Sequence, residues 1–138
     1  MTQDIRRITV TALMAALIFV LTVVPRIPTP VGGYIHLGDA GVNFAAFAFG
    51  PWVALFSGGV GTALADLMGY PQWAIFSLIV HGLQGLAVGW IARKELTLWR
   101  GALAVIAGTA IVVAGYFIAG AILVGAAVAL SEILPNTI

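Results

Sequence analysis

The sequence predicts an all-α membrane protein, a bundle of five transmembrane helices followed by the start of a sixth that looks truncated. Three observations predict it. Of its 138 residues, 62% are hydrophobic and 8% charged, well above the roughly 45 to 50% apolar content of soluble domains, and mean hydropathy is +1.11. Four apolar runs are each long enough to cross a hydrocarbon layer of about 30 Å at about 1.5 Å per residue. The basic residues cluster in segments separated by an even number of those crossings.

The first run, Ile8 to Val24, follows Arg6 and Arg7. A signal peptide starts in the same way, but no small-residue cleavage site leads into a polar mature domain, so the run reads as a span. Pro25, Pro28, Pro30, Gly32 and Gly33 then make an extended first loop. The second helix, Asp39 to Phe49, is too short to span alone; carried back to Tyr34 it spans, or half-spans with an irregular end buried in protein. Gly50 followed by Pro51 matches a glycine closing one helix and a proline opening the next, so helices two and three form a tight hairpin. The third span covers Pro51 to Met68. Gly69 to Trp73 is a short turn whose aromatic residues suit a membrane interface. The fourth span covers Trp73 to Ala92 and the fifth Gly101 to Gly125. Ala126 to Ile138 starts another apolar stretch, broken by Ser131, Glu132, Pro135 and Asn136; a natural tail at the outer surface is the alternative to a truncated helix. The whole, 1–138, reads as a single transmembrane domain.

Arg6 and Arg7 precede the first span, Arg93, Lys94 and Arg100 lie between the fourth and fifth, and Arg26 stands alone on the other side. That bias puts the N-terminus in the cytoplasm and gathers most polar residues, among them Asp39, Asp66, Tyr70 and Glu132, at the outer face. A net charge of +1 without a basic stripe argues against nucleic acid as partner. Without cysteine and with two histidines, no thiol nucleophile is available and a structural metal site is not expected. No cofactor is expected either.

The polar residues form constellations with two readings each. Ser77, His81 and Gln84 fall at i, i+4 and i+7 on the fourth helix, a polar stripe on an apolar rod. At that depth they face protein or a water-filled cavity, either as a ligand site or as glue between helices. Asp39, following Gly38 at the start of the second helix, suits capping of exposed amides, and Asn43 lies one turn below on the same face. Asp66 has Arg26 as a candidate partner. Glu132 and Asn136, at i and i+4, share a face if Pro135 lies in the first turn of a sixth helix. Tyr34, His36, Tyr70, Trp73 and Tyr116 add aromatic surface able to sandwich a flat heterocycle or to anchor at an interface. Small residues at i, i+4 permit close helix approach: Gly58 with Thr62, Gly59 with Ala63 and Gly61 with Ala65 in the third helix, and Ala12 with Ala16 in the first, where the face serves either packing or a partner.

The run Leu37-Gly38-Asp39-Ala40, the hairpin Phe49-Gly50-Pro51, the stretch from Gly58 to Leu67, His81-Gly82-Leu83-Gln84-Gly85, Gly115-Tyr116-Phe117 and Glu132 to Asn136 follow one another along nearly the whole chain. In order and spacing they resemble the substrate-binding S component of energy-coupling-factor (ECF) transporters, prokaryotic importers of vitamins and their precursors. The resemblance implies a six-helix subunit of the cell membrane that binds a vitamin-like small molecule in a pocket open to the outside and joins a transmembrane T component and two ATPase subunits. It implies Tyr34, His81, Gln84, Tyr116, Glu132 and Asn136 as substrate-binding candidates, and Ala12 and Ala16 as the face toward the T component. Sequences of the pyrimidine and pyridoxine type often carry lysine where His81 stands here. The expected substrate is a pyrimidine or pyridine compound such as hydroxymethylpyrimidine, with riboflavin second.

The chain has no GxxxxGK[ST] phosphate loop, so ATP hydrolysis must come from partners. Two rival classes differ in what they need. A membrane hydrolase would use Ser77 and His81, but no GxSxG elbow or oxyanion donors accompany them. A small channel or secondary transporter would place coupling carboxylates near mid-membrane, whereas the acidic residues here lie toward the span ends.

Overall fold

The computed structural model describes residues 2–28 and 34–137, so Pro30, Gly32 and Gly33 of the first loop lie outside the described residues. Helices dominate, in the order α1 (Gln3–Val23), α2 (Gly38–Phe49), α3 (Pro51–Leu67), α4 (Ala74–Ala92), α5 (Leu98–Leu123) and α6 (Ala126–Ser131). Short 3₁₀ turns stand at Pro71–Trp73 and Pro135–Thr137. Strands β1 (Ile27–Pro28) and β2 (Tyr34–Ile35) pair antiparallel, Ile27 opposite Ile35 and Pro28 opposite Tyr34.

Among the described residues, three helical segments, Gln3–Val23, Pro71–Ala92 and Leu98–Leu123, are long and apolar enough to cross a membrane. Helix α3, at 17 residues, sits at the lower end of the spanning range. Helix α2 has 12 residues and covers about 18 Å, short of a bilayer on its own. Its end is fixed by Gly50, whose φ of 88° and ψ of 179° only glycine adopts without strain, and by Pro51 at the start of α3. Helix α5 starts earlier than the apolar run, because the Thr97 hydroxyl caps it by accepting the Arg100 amide at 3.3 Å.

Helix α3 lies between α1 and α4, with α5 on the far side of α4 and α2 against α3 and α4. Small residues permit this. A Cβ placed at Gly61 would lie 2.7 Å from the Ala15 carbonyl oxygen of α1, and one at Gly59 would lie 2.5 Å from that of Leu78 in α4. The packing reading of the α3 glycines therefore describes what they do. Met14, Ile18, Val42, Ala45, Ala46, Val53, Ala54, Val88 and Ala104 form the core. Around it large apolar side chains stay exposed, such as Leu13, Ile75, Ile106 and Ile122, which a lipid solvent explains and water does not.

One expectation needs correcting here. Pro135 does not enter the first turn of a sixth helix: α6 spans Ala126–Ser131, and Pro135 opens a separate 3₁₀ turn. Glu132 and Asn136 still stay one turn apart, since the Asn136 amide donates to the Glu132 carbonyl at 3.1 Å.

Candidate functional site

The chain between α1 and α2 turns back as the β1–β2 hairpin and brings Tyr34 and His36 over the ends of α3 and α4. Beneath them lies a cavity of about 60 Å³, lined by Tyr34, His36, Asp39, Asp66, Trp73, His81, Val112, Tyr116, Glu132 and Asn136. Larger grooves of about 620 to 750 Å³ run along the flanks of the bundle, one between α1 and α3 and another beside α5. Their walls are mostly aliphatic and aromatic, and the convergence of polar groups is found in the small cavity.

A chain of hydrogen bonds runs through its walls. The Tyr34 hydroxyl donates to Asp66 Oδ1 and the Ser77 hydroxyl to Asp66 Oδ2. The Ser77 proton being used, Ser77 Oγ accepts from the Tyr116 hydroxyl. Tyr116 Oη is then left to accept from His81 Nε2 at 3.1 Å. On its other side His81 Nδ1 faces Gln84 Oε1 at 2.8 Å and Asp39 Oδ1 at 3.2 Å. Two oxygens against one ring nitrogen fix it as a donor too, so the ring donates at both nitrogens with Asp39 as its counter-charge. The amide orientation of Gln84 follows from this network.

Asp39 departs from its expected role. The residue preceding α2, Leu37, makes no side-chain cap, and the Asp39 carboxylate turns to His81 instead. The acceptor at that helix start is His36, whose Nδ1 accepts the Gly38 amide at 2.9 Å. A Cβ on Gly38 would sit 2.7 Å from that nitrogen, so the close approach requires glycine. Accepting at Nδ1 makes the His36 ring neutral. Burial holds its pKa down at about 4; His81 and Arg26 push in the same direction and Asp39 opposes them. Burial, with the Asp66 carboxylate next, raises the Tyr34 hydroxyl far above the usual phenol range.

Arg26 does not take Asp66 as its partner. Its guanidinium donates to the Ala65 carbonyl at 3.1 Å and stacks on Tyr34, 4.3 Å from the ring centroid, while Tyr34 stacks on Tyr70 at 4.9 Å. The arginine thus braces the hairpin from behind the cavity wall. Of the six substrate-binding candidates, Tyr34, His81, Tyr116, Glu132 and Asn136 share this cavity. Gln84 stands one layer behind, buried and bonded to His81. Ala12 and Ala16 are exposed on α1, and Ala12 lines the α1–α3 groove. Ser77 and His81 each bond to Tyr116 rather than to one another, so no nucleophile–base pair forms.

Residues 2–138 match the family described as ECF-type riboflavin transporter, S component. The chain belongs to the S-component family of ECF-type transporters. It is 33% identical over 139 residues to the thiamine precursor transporter HmpT of Lactococcus lactis subsp. cremoris, across 99% of this chain and 80% of the relative. It is 40% identical over 114 residues to an uncharacterized protein of Pyrococcus woesei, across 82% of this chain and 77% of that one. It is also 35% identical over 96 residues to a UPF0397 protein of Streptococcus agalactiae, spanning about half (52%) of that protein. A member of this family is a transporter component and not an enzyme.

Proposed function

We propose that this chain is the substrate-capture subunit of an ECF-type importer, a single substrate-binding unit that takes a one-ring vitamin precursor at the outer face. The observation that carries this reading is the small cavity in which Tyr34, Trp73 and Tyr116 supply ring faces while His81, Asp39, Glu132 and Asn136 supply polar edges. Aromatic walls with a few convergent polar groups suit a flat heterocycle. At about 60 Å³ the cavity is far below the ~300 Å³ or more of sites for drug-sized ligands. A single ring such as hydroxymethylpyrimidine asks for modest adjustment of the walls, whereas the three fused rings of riboflavin would require the β1–β2 hairpin to move away. Similarity to a protein named as a thiamine precursor transporter supports the same choice.

In this reading the N-terminus is cytoplasmic, because Arg6, Arg7, Arg93, Lys94 and Arg100 gather at the end of the bundle opposite the cavity. Energy comes from two ATPase subunits through a T component, which docks on the α1 face carrying Ala12 and Ala16. The test is uptake of labelled substrate by cells expressing the chain with and without those partners. Accumulation is expected only with the partners and ATP. Accumulation driven by an ion gradient without ATPases would contradict the reading and revive a secondary transporter.

A further inference from the structure

Two arginines at the basic end of the bundle are left unused by the protein itself. Arg26, at the cavity end, donates to Ala65 and stacks on two tyrosines. Arg6 and Arg7, on α1, are exposed, and among the described residues no side-chain hydrogen bond or ion pair holds either of them. Arg7 stands at one end of the α1–α3 groove, whose volume of about 750 Å³ falls within the ~300 to 1,000 Å³ of ligand sites. The groove changes character along its length. Its charged residues, Asp4 and Arg7, lie near the start of α1, and from Ile8 to Ala15 the α1 wall carries no charge. Thr11 lines it too, but its hydroxyl donates to the Arg7 carbonyl at 2.8 Å, inside the helix. Opposite, Trp52, Phe56 and Val60 of α3 stand one turn apart and complete an apolar trough. From Arg7 to Ala15 the trough runs about 12 Å, at about 1.5 Å per residue. Trp52 is half exposed and packs edge to face on Trp90, a ring placed beside the arginines as membrane interfaces favour. A smaller hollow of about 290 Å³ adjoins the groove, sharing Arg7 and Val53 with it and adding Arg6 and Phe49.

We propose that the α1–α3 groove is a binding site for an anionic phospholipid, its phosphate held by Arg6 and Arg7 and one acyl chain laid along Ile8, Ala12 and Ala15. Charge at one end and hydrocarbon along the rest is the pattern of that ligand. A planar guanidinium offers a phosphate two parallel hydrogen bonds, and basic pockets between helices at the membrane surface suit anionic headgroups. Two arginines against Asp4 leave this end of the groove at a net charge of +1, which a singly negative headgroup neutralises and a zwitterionic one does not. Arg93, Lys94 and Arg100 stand at the same end of the bundle but line neither hollow. A built site therefore depends on Arg6 and Arg7, whereas diffuse attraction to a charged leaflet depends on all five alike. Ala12 lines the groove as well, so the lipid has to leave when a T component docks on that face. This consequence rests on the capture reading above; the lipid site does not.

The experiment is native mass spectrometry of the whole chain, released from detergent after titration with phosphatidylglycerol or with phosphatidylcholine carrying the same acyl chains. Phosphatidylglycerol is expected to be retained one to one, with apparent affinity at least about tenfold above phosphatidylcholine. The double variant Arg6→Gln/Arg7→Gln is expected to lose that preference, and Arg93→Gln to keep it within about twofold. Val60→Trp, which fills the trough, is expected to weaken retention of both lipids. Each of these residues is exposed, so the fold is expected to persist in every variant. Equal retention of the two lipids overturns the proposal, as does an equal loss of preference in Arg93→Gln or unchanged retention in Val60→Trp. Competition by chain-free glycerol phosphate as strong as by the lipid does so too, because the groove would then contribute nothing. A dimer that retains no lipid puts a second copy on this face and likewise overturns it. None of these outcomes bears on capture at the cavity end, which is measured separately.

Discussion

His81 has an oxygen acceptor against each ring nitrogen, and Tyr116 stands as the relay between it and Ser77. Removing that hydroxyl in Tyr116→Phe leaves a buried imidazole N–H without an acceptor and takes from Ser77 Oγ the donor it accepts, while its bond to Asp66 remains. Stability is expected to fall by about 1 to 3 kcal/mol, read as a lower thermal midpoint in detergent. His36 gives a pH prediction with a definite sign. Its pKa of about 4 lies below the unfolded value of 6.5, so between those values the unfolded chain binds a proton that the folded one refuses. Stability is therefore full above pH 6.5 and declines as pH falls toward 4. His36→Asn, which keeps an acceptor for the Gly38 amide and removes the titration, is expected to flatten the midpoint-versus-pH curve over that window. The stripe of Ser77, His81 and Gln84 was legible because helical spacing alone puts three polar groups on one face, and all three are buried. Its position at a helix start suggests a capping role for Asp39, which pairs with His81 instead. His36, two residues before Gly38, accepts the Gly38 amide, whereas the Tyr34–Asp66 bond joins residues 32 positions apart. That second distance is not written in local sequence.

At the scale of elements, the apolar runs match α3, α4 and α5 to within a turn, and α1 at its end though it starts five residues before the run, at Gln3, since length and hydropathy decide what lipid accepts. The hairpin of α2 and α3 was legible from Gly50 and Pro51 for a backbone reason. The β1–β2 hairpin was not, because two-residue strands leave no periodic pattern. Close approach of α4 to the start of α3 supplies the test of packing. A Cβ on Gly89 would lie 2.5 Å from the Pro51 Cα, and one on Gly101 would meet nothing nearer than Leu96 Cδ1 at 3.8 Å. Gly89→Ala is expected to destabilise by about 1 to 3 kcal/mol. Gly101→Ala, on α5, is expected to be neutral or to stabilise by up to about 1 kcal/mol. Parallel thermal melts decide between these; equal effects would contradict the packing described.

The molecule as a whole divides into a basic end, an apolar girdle and a cavity end, and the first two were legible from composition and charge alone. Because the chain contains no cysteine, single cysteines report on its orientation without background. Gln72→Cys is expected to react with a membrane-impermeant maleimide on intact cells, and Glu95→Cys only after lysis; the reverse pattern would invert the orientation. Ala12 is exposed, so Ala12→Leu is expected to leave ligand affinity within about twofold while lowering uptake in cells that carry the partners. If affinity and uptake fell together, the α1 face would belong to the subunit's own packing. Capture itself is tested most directly by equilibrium titration of the purified chain with a panel of vitamins and one-ring precursors, beside the His81→Ala variant. The expected result is saturable one-to-one binding of a one-ring compound, weakened at least about tenfold by His81→Ala. No binding of any compound by protein that melts cooperatively would contradict it.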